Sequence, residues 1–299
     1  MQNIRLALVQ MEAKTGQVGE NLDKIESFVV RAARDKVDLI CFPELCVPGY
    51  HRELARRYAE TIPGPSTERI SRLARKTGVA VMVGLAEKSA GDKPYITHLL
   101  VHPDGGVDKY RKTHLGLSER PHFTAGDELP VFHTPRAGIG VEICWDLHFP
   151  EVTTVLSLRG AEIIFAPHAS PVIVGDRRAI WLKYLAARAY DNAVFVAACN
   201  LVGRASETQQ FCGGAMVLDP RGDVLAEAFN NREEMLVADL DAALINMIRR
   251  RRAKSMRYHF YLHFRRPELY KALVEEGAAP AGDGENESLP DAARTGDAG

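Results

Sequence analysis

The sequence predicts an α/β protein, because short apolar segments suited to strands alternate with amphipathic helical segments along the chain. A segment near the middle of the chain shows this alternation most clearly. A β-rich run, Ile139–Ile143, is followed by a helix that begins near Pro150 and ends before Gly160, and then by a second apolar run, Glu162–Ala166. Proline is favoured in the first turn of a helix and glycine just after its end, so both helix boundaries are predicted.

The other strands and helices follow the same order of apolar run and amphipathic helix. In chain order they are strand Ile4–Gln10, helix Asn21–Lys36, strand Val37–Phe42, helix Thr67–Lys76, strand Val79–Leu85, helix Ala179–Asp191 and strand Ala193–Ala198. Two β-hairpins are predicted as well, each with a turn rich in proline and glycine. The hairpins join Ile96–Val101 to Val107–Arg111 and Ala215–Leu218 to Val224–Ala228. Their likeness is a weak indication of two similar halves.

Composition and charge exclude several classes of function. The 299 residues are enough for one large domain or two small ones with a substantial core, and the net charge of −1 does not favour nucleic acid as a general partner. No apolar run is long enough to span a membrane, and we expect no secretory signal in the first ten residues. The five cysteines are odd in number and lack C-x-x-C spacing, so we expect a reducing cytoplasm, no disulfide framework and no structural zinc.

Three chemically reactive side chains, Glu44, Lys112 and Cys144, each follow a predicted strand. Ligands of open α/β sheets bind beyond the carboxyl ends of strands, so the three side chains can meet in one site. Cys144 also lies on a turn before a helix, where N–H groups can favour a thiolate. Each residue has a simpler interpretation: an exposed loop acid, a solvated lysine and a small buried core thiol, respectively.

A carboxylate, an ammonium and a thiol together are suited to nucleophilic catalysis. Glu44 can act as general base for Cys144, and Lys112 can favour the thiolate and stabilise an oxyanion formed on a substrate carbonyl. The backbone N–H of Trp145 is a candidate second oxyanion donor. After the amine departs, Glu44 can activate water to hydrolyse the thioester. The histidines lack zinc-site spacing, so we expect neither a metal nor a cofactor.

A loop-like stretch, Leu115–Pro130, carries Glu119 and can form one wall of a pocket, although an exposed loop acid is the simpler interpretation. Several aromatic and polar side chains are candidates for substrate binding. These candidates are Tyr50, Phe123, Trp145, Asp146, His148 and His168. For Tyr50, Phe123 and His168, packing in the core is an equally good interpretation.

The C-terminal part of the chain differs in composition from the rest. Residues 242–273 form a basic region that is predicted to be helical, with an arginine run at Arg249–Arg252 and interleaved aromatic residues. Nucleic-acid binding is one interpretation. Because the rest of the chain balances the charge and no known binding module accompanies the run, a docking arm that pairs with acids on the body or on another subunit is favoured. Residues 277–299 are predicted to be a disordered tail.

Three motifs, in this order along the chain, resemble those of the nitrilase, or carbon–nitrogen hydrolase, superfamily. They are Phe42-Pro43-Glu44, Tyr110-Arg111-Lys112-Thr113-His114-Leu115 and Gly140-Val141-Glu142-Ile143-Cys144-Trp145-Asp146. Lesser matches are Gly213-Gly214 with Asp219-Pro220-Arg221-Gly222, and Arg266-Pro267-Glu268-Leu269-Tyr270. The resemblance covers roughly nine tenths of the chain, and three catalytic motifs in order are far more specific than any one of them.

The resemblance implies Glu44 as base, Lys112 as oxyanion stabiliser and Cys144 as nucleophile. It also implies that Glu119 is a second acid that positions substrate. The fold it implies is a four-layer αββα sandwich, here a hydrolase domain at 1–275 that includes the docking arm. Members of the family usually form homodimers or larger homo-oligomers, often through the helix after the nucleophile and the C-terminal arm.

Within the superfamily, the residues after the nucleophile help to separate the branches. Typical nitrilases resemble Cys-Trp-Glu there, whereas Trp145-Asp146 followed by Phe149-Pro150-Glu151 looks most like N-carbamoylputrescine amidases. Relatives with carboxylate-bearing substrates often hold them with an arginine soon after the cysteine. Leu147 and His148 occupy that stretch here, which weakens an assignment to acidic substrates, although Arg177 or Arg178 could supply such a contact.

The leading hypothesis is a cofactor-free amidase that hydrolyses the non-peptide C–N bond of a small linear amide or N-carbamoyl amine. It would form a thioester on Cys144 and release ammonia. The alternatives are a nitrilase that converts a nitrile to an acid, a catalytically silent assembly or regulatory protein that kept the fold, and a redox-sensing thiol. Comparison of a nitrile with its matching amide separates the first two hypotheses.

Overall fold

The computed structural model describes residues 1–206, 209–250 and 259–275. The chain forms two compact units, Met1–Leu262 and His263–Gly299. The α-helices of the described ranges are α1 (Val18–Arg34), α2 (Pro65–Thr77), α3 (Pro150–Leu158), α4 (Arg177–Asn192) and α5 (Ala242–Arg250). None of the described helices combines the length and the apolar character needed to cross a membrane.

The described strands belong to two six-stranded sheets and one two-stranded ribbon. The first sheet contains β1 (Ile4–Gln10), β2 (Leu39–Cys41), β3 (Ala80–Glu87), β4 (Tyr95–Val101), β5 (Val107–Arg111) and β14 (Glu234–Leu240). The second contains β6 (Phe132–His133), β7 (Gly138–Val141), β8 (Ile163–His168), β9 (Phe195–Asn200), β12 (Ala215–Leu218) and β13 (Val224–Ala228). The ribbon pairs β10 (Val202–Arg204) with β11 (Gln210–Cys212).

The two large sheets share one topology. Their strand orders are β14-β1-β2-β3-β4-β5 and β13-β12-β9-β8-β7-β6. In each sheet three parallel strands, β1-β2-β3 or β7-β8-β9, are followed by an antiparallel hairpin, β4-β5 or β12-β13. The hairpins are the two that the Pro/Gly turns predicted, so the likeness of the halves extends to the order of their strands.

Alternation of side chains along the strands builds three core layers. On β1, Leu8 faces a cluster shared with Phe165 of the second sheet, whereas Val9 faces a cluster shared with Val29 of α1. The second sheet packs in the same way against α3 and α4, where Leu185 is fully buried. The layers are therefore helix, sheet, sheet and helix, and the predicted αββα sandwich is confirmed.

The structure contains strands that the sequence did not predict, among them β6, β10, β11 and β14, and it corrects one predicted helical region. Strand β14 was not predicted, because Glu234 and Asp239 interrupt its apolar pattern, yet it pairs with β1 along its whole length. The helical region predicted for 242–273 is confirmed at α5, which ends at Arg250, whereas 261–273 contain only short 3₁₀ turns. Pro267 cannot lie inside an α-helix without breaking a hydrogen bond. Residues 251–258 and the predicted disordered tail at 277–299 lie outside the described residues.

Candidate active site

Glu44 lies on a tight turn that follows β2 and packs against β3. Val47 N donates to Gly84 O at 3.0 Å and ties the turn to that strand. Leu45 adopts a left-handed φ of 49°. A Cβ on Gly84 would lie 2.4 Å from Leu45 N, so the close approach of turn and strand requires glycine there. The side chain of Glu44 is thereby held in the interior, 1% exposed.

Lys112 follows β5 and bridges two buried carboxylates. Its Nζ lies 2.8 Å from Glu44 Oε1, and 2.8 and 2.9 Å from the two carboxylate oxygens of Glu119. Burial alone would lower the pKa of Lys112, but the two carboxylates raise it well above its ordinary value. The amine is therefore charged and held from both sides. This arrangement brings together three of the four predicted catalytic residues.

Glu119 is fixed by the loop that carries it. Its Oε2 accepts a hydrogen bond from Gly116 N at 2.9 Å, and its Oε1 accepts one from the Tyr50 hydroxyl at 2.9 Å. With Lys112 also bound, both oxygens of Glu119 have partners in the protein. Glu119 is therefore suited to hold Lys112 in place rather than to exchange protons.

Glu44 has one oxygen that remains available. Its Oε2 is buried and accepts no hydrogen bond from the described residues, whereas Oε1 is bound to Lys112. Burial raises the pKa of Glu44 to about 7; the positive charge of Lys112 opposes this rise, and the negative charge of Glu119 adds to it. A carboxylate with a pKa near neutrality and a free oxygen fits the requirements of a general base.

Cys144 begins a 3₁₀ turn, Cys144–His148, directly beyond β7. Its φ of 47° is left-handed, which costs a non-glycine residue about 1–3 kcal/mol and is typical of functional sites. Its Sγ lies 3.9 Å from Ser170 Oγ. Burial, followed by the negative charge of Glu44, raises the pKa of the thiol to about 12. The thiol is therefore neutral at rest, in contrast to the thiolate that the turn could have favoured.

Asp146 is fully buried and connects the segments that carry Lys112 and Cys144. Its carboxylate accepts hydrogen bonds from Ile143 N at 2.9 Å, from His114 N at 2.8 Å and from the Tyr110 hydroxyl at 2.8 Å. Ile143 precedes the nucleophile, and the other two donors flank Lys112. Asp146 therefore fixes the two segments relative to each other, a role that its position in the sequence did not reveal.

One pocket of about 380 Å³ adjoins these groups. Lys112, Glu119 and Cys144 line it, together with four predicted substrate-binding residues, Tyr50, Trp145, His148 and His168. Three other candidates, Glu44, Phe123 and Asp146, do not line it; Phe123 instead packs in the core between the sheets. The structure thus brings the lysine, the thiol and the second acid to one cavity, with Glu44 in contact with the lysine.

The two pocket histidines are neutral. Burial lowers the pKa of His168 well below its ordinary value, and its Nδ1 donates to Ala166 O at 2.8 Å. Burial also lowers the pKa of His148, whose ring lies 5.0 Å from that of Trp145 and 5.1 Å from that of Tyr184. These rings form an aromatic wall, and Trp145 is 43% exposed at the pocket.

The pocket also contains Ser170 and Tyr184, which the sequence did not single out, and Arg177, one of the two arginines considered for a carboxylate. Ser170 follows β8, and Asn200 Oδ1 accepts a hydrogen bond from its backbone N at 2.7 Å. Tyr184 lines the pocket from α4, as does Arg177, whereas Arg178 pairs with Glu227 at 2.8 Å. The strand-end rule that selected Glu44 could have found Ser170, and helical spacing from Arg177 could have found Tyr184.

Metal ligation has no candidate in the part of the chain that the structure describes. No group of three or more His, Cys, Asp and Glu side chains there is arranged to hold an ion. The charged groups beside the nucleophile instead bind one another.

A cysteine beside a lysine clamped by two carboxylates, at the strand ends of an αββα sandwich, defines an enzyme class that attacks carbon–nitrogen bonds with a thiol. Residues 5–250 match the carbon-nitrogen hydrolase family, and the chain belongs to that family. Its similarity to amidases places it in the amidase branch of the nitrilase superfamily.

Curated relatives match the chain over most of its length. A probable nitrilase of Schizosaccharomyces pombe is 33% identical over 285 residues, which are 90% of this chain and 98% of the relative. An omega-amidase of Xenopus tropicalis is 31% identical over 259 residues, which are 83% of this chain and 92% of the relative. The omega-amidase match, together with the family match, supports hydrolysis of amide C–N bonds.

Solved structures give the same assignment. An amidase from Nesterenkonia sp. AN1 has a TM-score of 0.78 and 28% identity, and the match covers 90% of this chain and 99% of that chain. A variant of it, with a TM-score of 0.77, 27% identity and coverage of 90% and 97%, carries the acetamide moiety of fluoroacetamide covalently on its active-site cysteine. Another variant, with a TM-score of 0.77, 27% identity and coverage of 90% and 96%, is in complex with butyramide.

Proposed function

We propose that this chain hydrolyses a small linear amide or an N-carbamoyl amine through a thioester on Cys144 and releases ammonia. The observation that carries the proposal is that Lys112, clamped by Glu44 and Glu119, lines the same cavity as the Cys144 thiol. The amidase that binds butyramide, and its variant with an adduct on cysteine, support the same chemistry. An N-carbamoyl substrate would release carbon dioxide as well.

Acylation begins with a neutral thiol, so a base is needed during the attack. The free Oε2 of Glu44 takes the proton from Cys144 Sγ as the sulfur adds to the carbonyl carbon. The negative charge that forms on the carbonyl oxygen is stabilised by Lys112 Nζ and by the backbone N–H of Trp145. The first amide that donates a hydrogen bond within the 3₁₀ turn is that of the next residue, Asp146, so the Trp145 amide is available. Glu44 then gives its proton to the departing nitrogen, the C–N bond breaks, and a thioester remains.

Deacylation reverses the order of the proton transfers. Glu44, again ionised, takes a proton from water as the water oxygen adds to the thioester carbon. The C–S bond breaks, the sulfur regains the proton, and the product leaves as an acid. The two half-reactions therefore use one base and one oxyanion site. Glu119 holds Lys112 throughout, and Asp146 keeps the lysine and cysteine segments in register.

The remaining predicted site residues contribute to substrate contact in this proposal. Tyr50, Trp145, His148 and His168 line the cavity, and their aromatic faces suit the apolar part of a small amide. We further propose a cytoplasmic homo-oligomer. All five cysteines are free, which supports a reducing compartment.

The pH dependence of kcat/KM is expected to show an acidic limb with its midpoint near 7. The pKa of Glu44 is raised from 4.5 to about 7, so activity falls as the pH drops through that value and the base becomes protonated. The Glu44→Gln variant should lose this limb, and its kcat should fall by about 10²–10⁴-fold. Steady-state ammonia release across the neutral pH range measures both effects. If the acidic limb persists unchanged in the Glu44→Gln variant, it arises from the titration of a group other than Glu44.

Ammonia release from matched substrates tests the proposed function. The panel pairs butyramide with butyronitrile and succinamate with 3-cyanopropionate, and adds an N-carbamoyl amine. We expect the amides or the carbamoyl compound to be turned over faster than the nitriles. Faster turnover of the nitriles would favour the nitrilase alternative. The absence of turnover and of any thioester across the panel would favour a catalytically silent protein.

A further inference from the structure

We infer that Arg177 binds a carboxylate on the substrate, at the end remote from the scissile C–N bond. The substrate class would then be an amide or carbamoyl compound that also carries an acid group. This inference rests on the proposed function, because it concerns the same cavity. It specifies that the substrate of the proposed amidase carries a negative charge at its remote end.

Arg177 reaches the cavity from the first turn of α4. Trp181 and Tyr184 follow it at spacings of four and seven residues, so the three side chains share one face of the helix. Trp181 is fully buried and lies against His168, with ring centroids 4.8 Å apart, which anchors that face. Arg177 and Tyr184 line the cavity that Cys144 also lines.

The guanidinium of Arg177 is buried without an acidic partner. The residue is 8% exposed, its Nε has no hydrogen-bond partner, and no carboxylate of the described residues forms a salt bridge with it. A buried cation is normally paired or well solvated by polar groups. Lys112 is paired with two carboxylates. The partly buried Arg249 donates to three backbone carbonyls and one hydroxyl. Arg177 therefore differs from both.

The groups that surround Arg177 do not neutralise it. The titratable groups that interact electrostatically with the guanidinium include His148, His168 and Tyr184, and the Tyr184 hydroxyl is also its hydrogen-bond partner. Burial is the main cause that lowers the pKa of both histidines and raises that of the tyrosine, so all three are uncharged near neutral pH. This side of the cavity therefore carries the uncompensated positive charge of Arg177.

The part of the cavity at Lys112 carries no such excess of positive charge. There Glu44 and Glu119 share the single charge of Lys112, so an anionic group on the substrate would be repelled from the reacting centre. Arg177 would attract the same group and can bind a carboxylate through two parallel hydrogen bonds. A cationic substrate terminus would be placed beside a buried guanidinium, which is unfavourable. The charge distribution thus orients an acidic amide with its C–N bond at Cys144.

The test compares amides whose remote end is neutral, cationic or anionic, with three chain lengths for the anionic end. The probes are butyramide, 4-aminobutyramide and three amides with a terminal carboxylate, namely succinamate, glutaramate and adipamate. Wild type, Arg177→Gln and Arg177→Lys are assayed for kcat and KM, with Arg178→Gln as the matched control. Arg178 is the adjacent arginine on the same helix, but it is paired with Glu227 outside the cavity.

We expect wild type to prefer at least one carboxylated amide to butyramide, and 4-aminobutyramide to be the poorest substrate. In Arg177→Gln, kcat/KM for the preferred acidic amide should fall by about 10²-fold, mainly through KM, because a charge-assisted bidentate contact is lost. The loss for butyramide should be at least tenfold smaller than the loss for the acidic amide, and Arg177→Lys should retain part of the preference. Arg178→Gln should behave as wild type.

Two results would overturn the inference while leaving the proposed function intact. One is an equal loss of turnover for acidic and neutral amides in Arg177→Gln, which would indicate a structural role. The other is an unchanged preference in that variant. If wild type releases ammonia from none of the amides, the proposed function itself fails, so the two failures are distinguishable.

Discussion

Replacing Cys144 with alanine is expected to reduce ammonia release from the best amide of the panel by about 10⁴-fold or more, because removal of a catalytic nucleophile eliminates the covalent route. Folding should be retained, since the substitution removes only the sulfur atom. The left-handed φ of 47° is a property of the turn, which Asp146 holds through Ile143 N. Steady-state assay and thermal unfolding of the purified variant measure the two effects.

Cys212→Ser is the matched control for this prediction. Cys212 is also a partly buried free thiol, but it does not line the cavity. We expect this variant to retain turnover within a few-fold of wild type. Comparable residual activity in the Cys144 and Cys212 variants would contradict the assignment of the nucleophile.

Replacing Lys112 with methionine is expected to impair both stability and catalysis. The variant would leave Glu44 and Glu119 buried without their shared cation, which should lower the free energy of unfolding by about 3–5 kcal/mol at pH 8. Loss of the oxyanion donor should lower kcat by about 10²–10³-fold. The loss of stability should shrink at acidic pH, where the carboxyls become protonated. Urea unfolding at two pH values and steady-state kinetics measure these quantities.

A double variant separates the two consequences. Lys112→Met with Glu119→Gln removes one of the stranded charges, so it should recover part of the lost stability but none of the activity. The control is Lys109→Met, because Lys109 is half-exposed and its partner Glu87 is also bound by Arg111. Because Lys109 is half-exposed and buried Glu87 keeps Arg111 as a partner, the loss of Lys109 should cost only about 1 kcal/mol. If Lys112→Met were as stable as Lys109→Met, the buried ion cluster would not have the role assigned to it.

Periodicity and strand ends were sufficient to predict much of this protein. The alternation of apolar runs and helices predicted both hairpins and the parallel strands, because those patterns report which side chains are buried. Glu44, Lys112 and Cys144 were selected because each follows a strand, and the motifs they belong to resemble one family. The structure brings Lys112 to Glu44 and to the cavity of Cys144, as expected.

What the sequence did not predict depends on contacts between distant segments. Asp146 was expected in the pocket, but its carboxylate is used by backbone and hydroxyl donors from two other segments. The neutral state of Cys144 follows from burial and from the nearby carboxylate of Glu44, neither of which is visible in local spacing. Arg177 and Arg178 were equivalent in the sequence, and only the orientation of α4 separates the cavity residue from the surface residue.

The roles of the C-terminal region and the oligomeric state stay predictions. The arginine-rich arm was predicted to dock on the body or on another subunit, and its central residues, 251–258, lie outside the described ranges. In the described part, Arg249 is largely buried and donates to the carbonyls of Ala161 and Ala193. At least one arginine of the predicted run therefore binds the ends of other elements within its own unit.

Identification of the acylated residue shows whether Cys144 is the nucleophile. Wild-type enzyme turning over the best amide is quenched in acid, digested and examined by peptide mass spectrometry. We expect an acyl group on the peptide that contains Cys144, and no such adduct in the Cys144→Ala variant. Steady turnover with the acyl group on another residue, or ammonia release that persists without Cys144, would show that Cys144 is not the nucleophile.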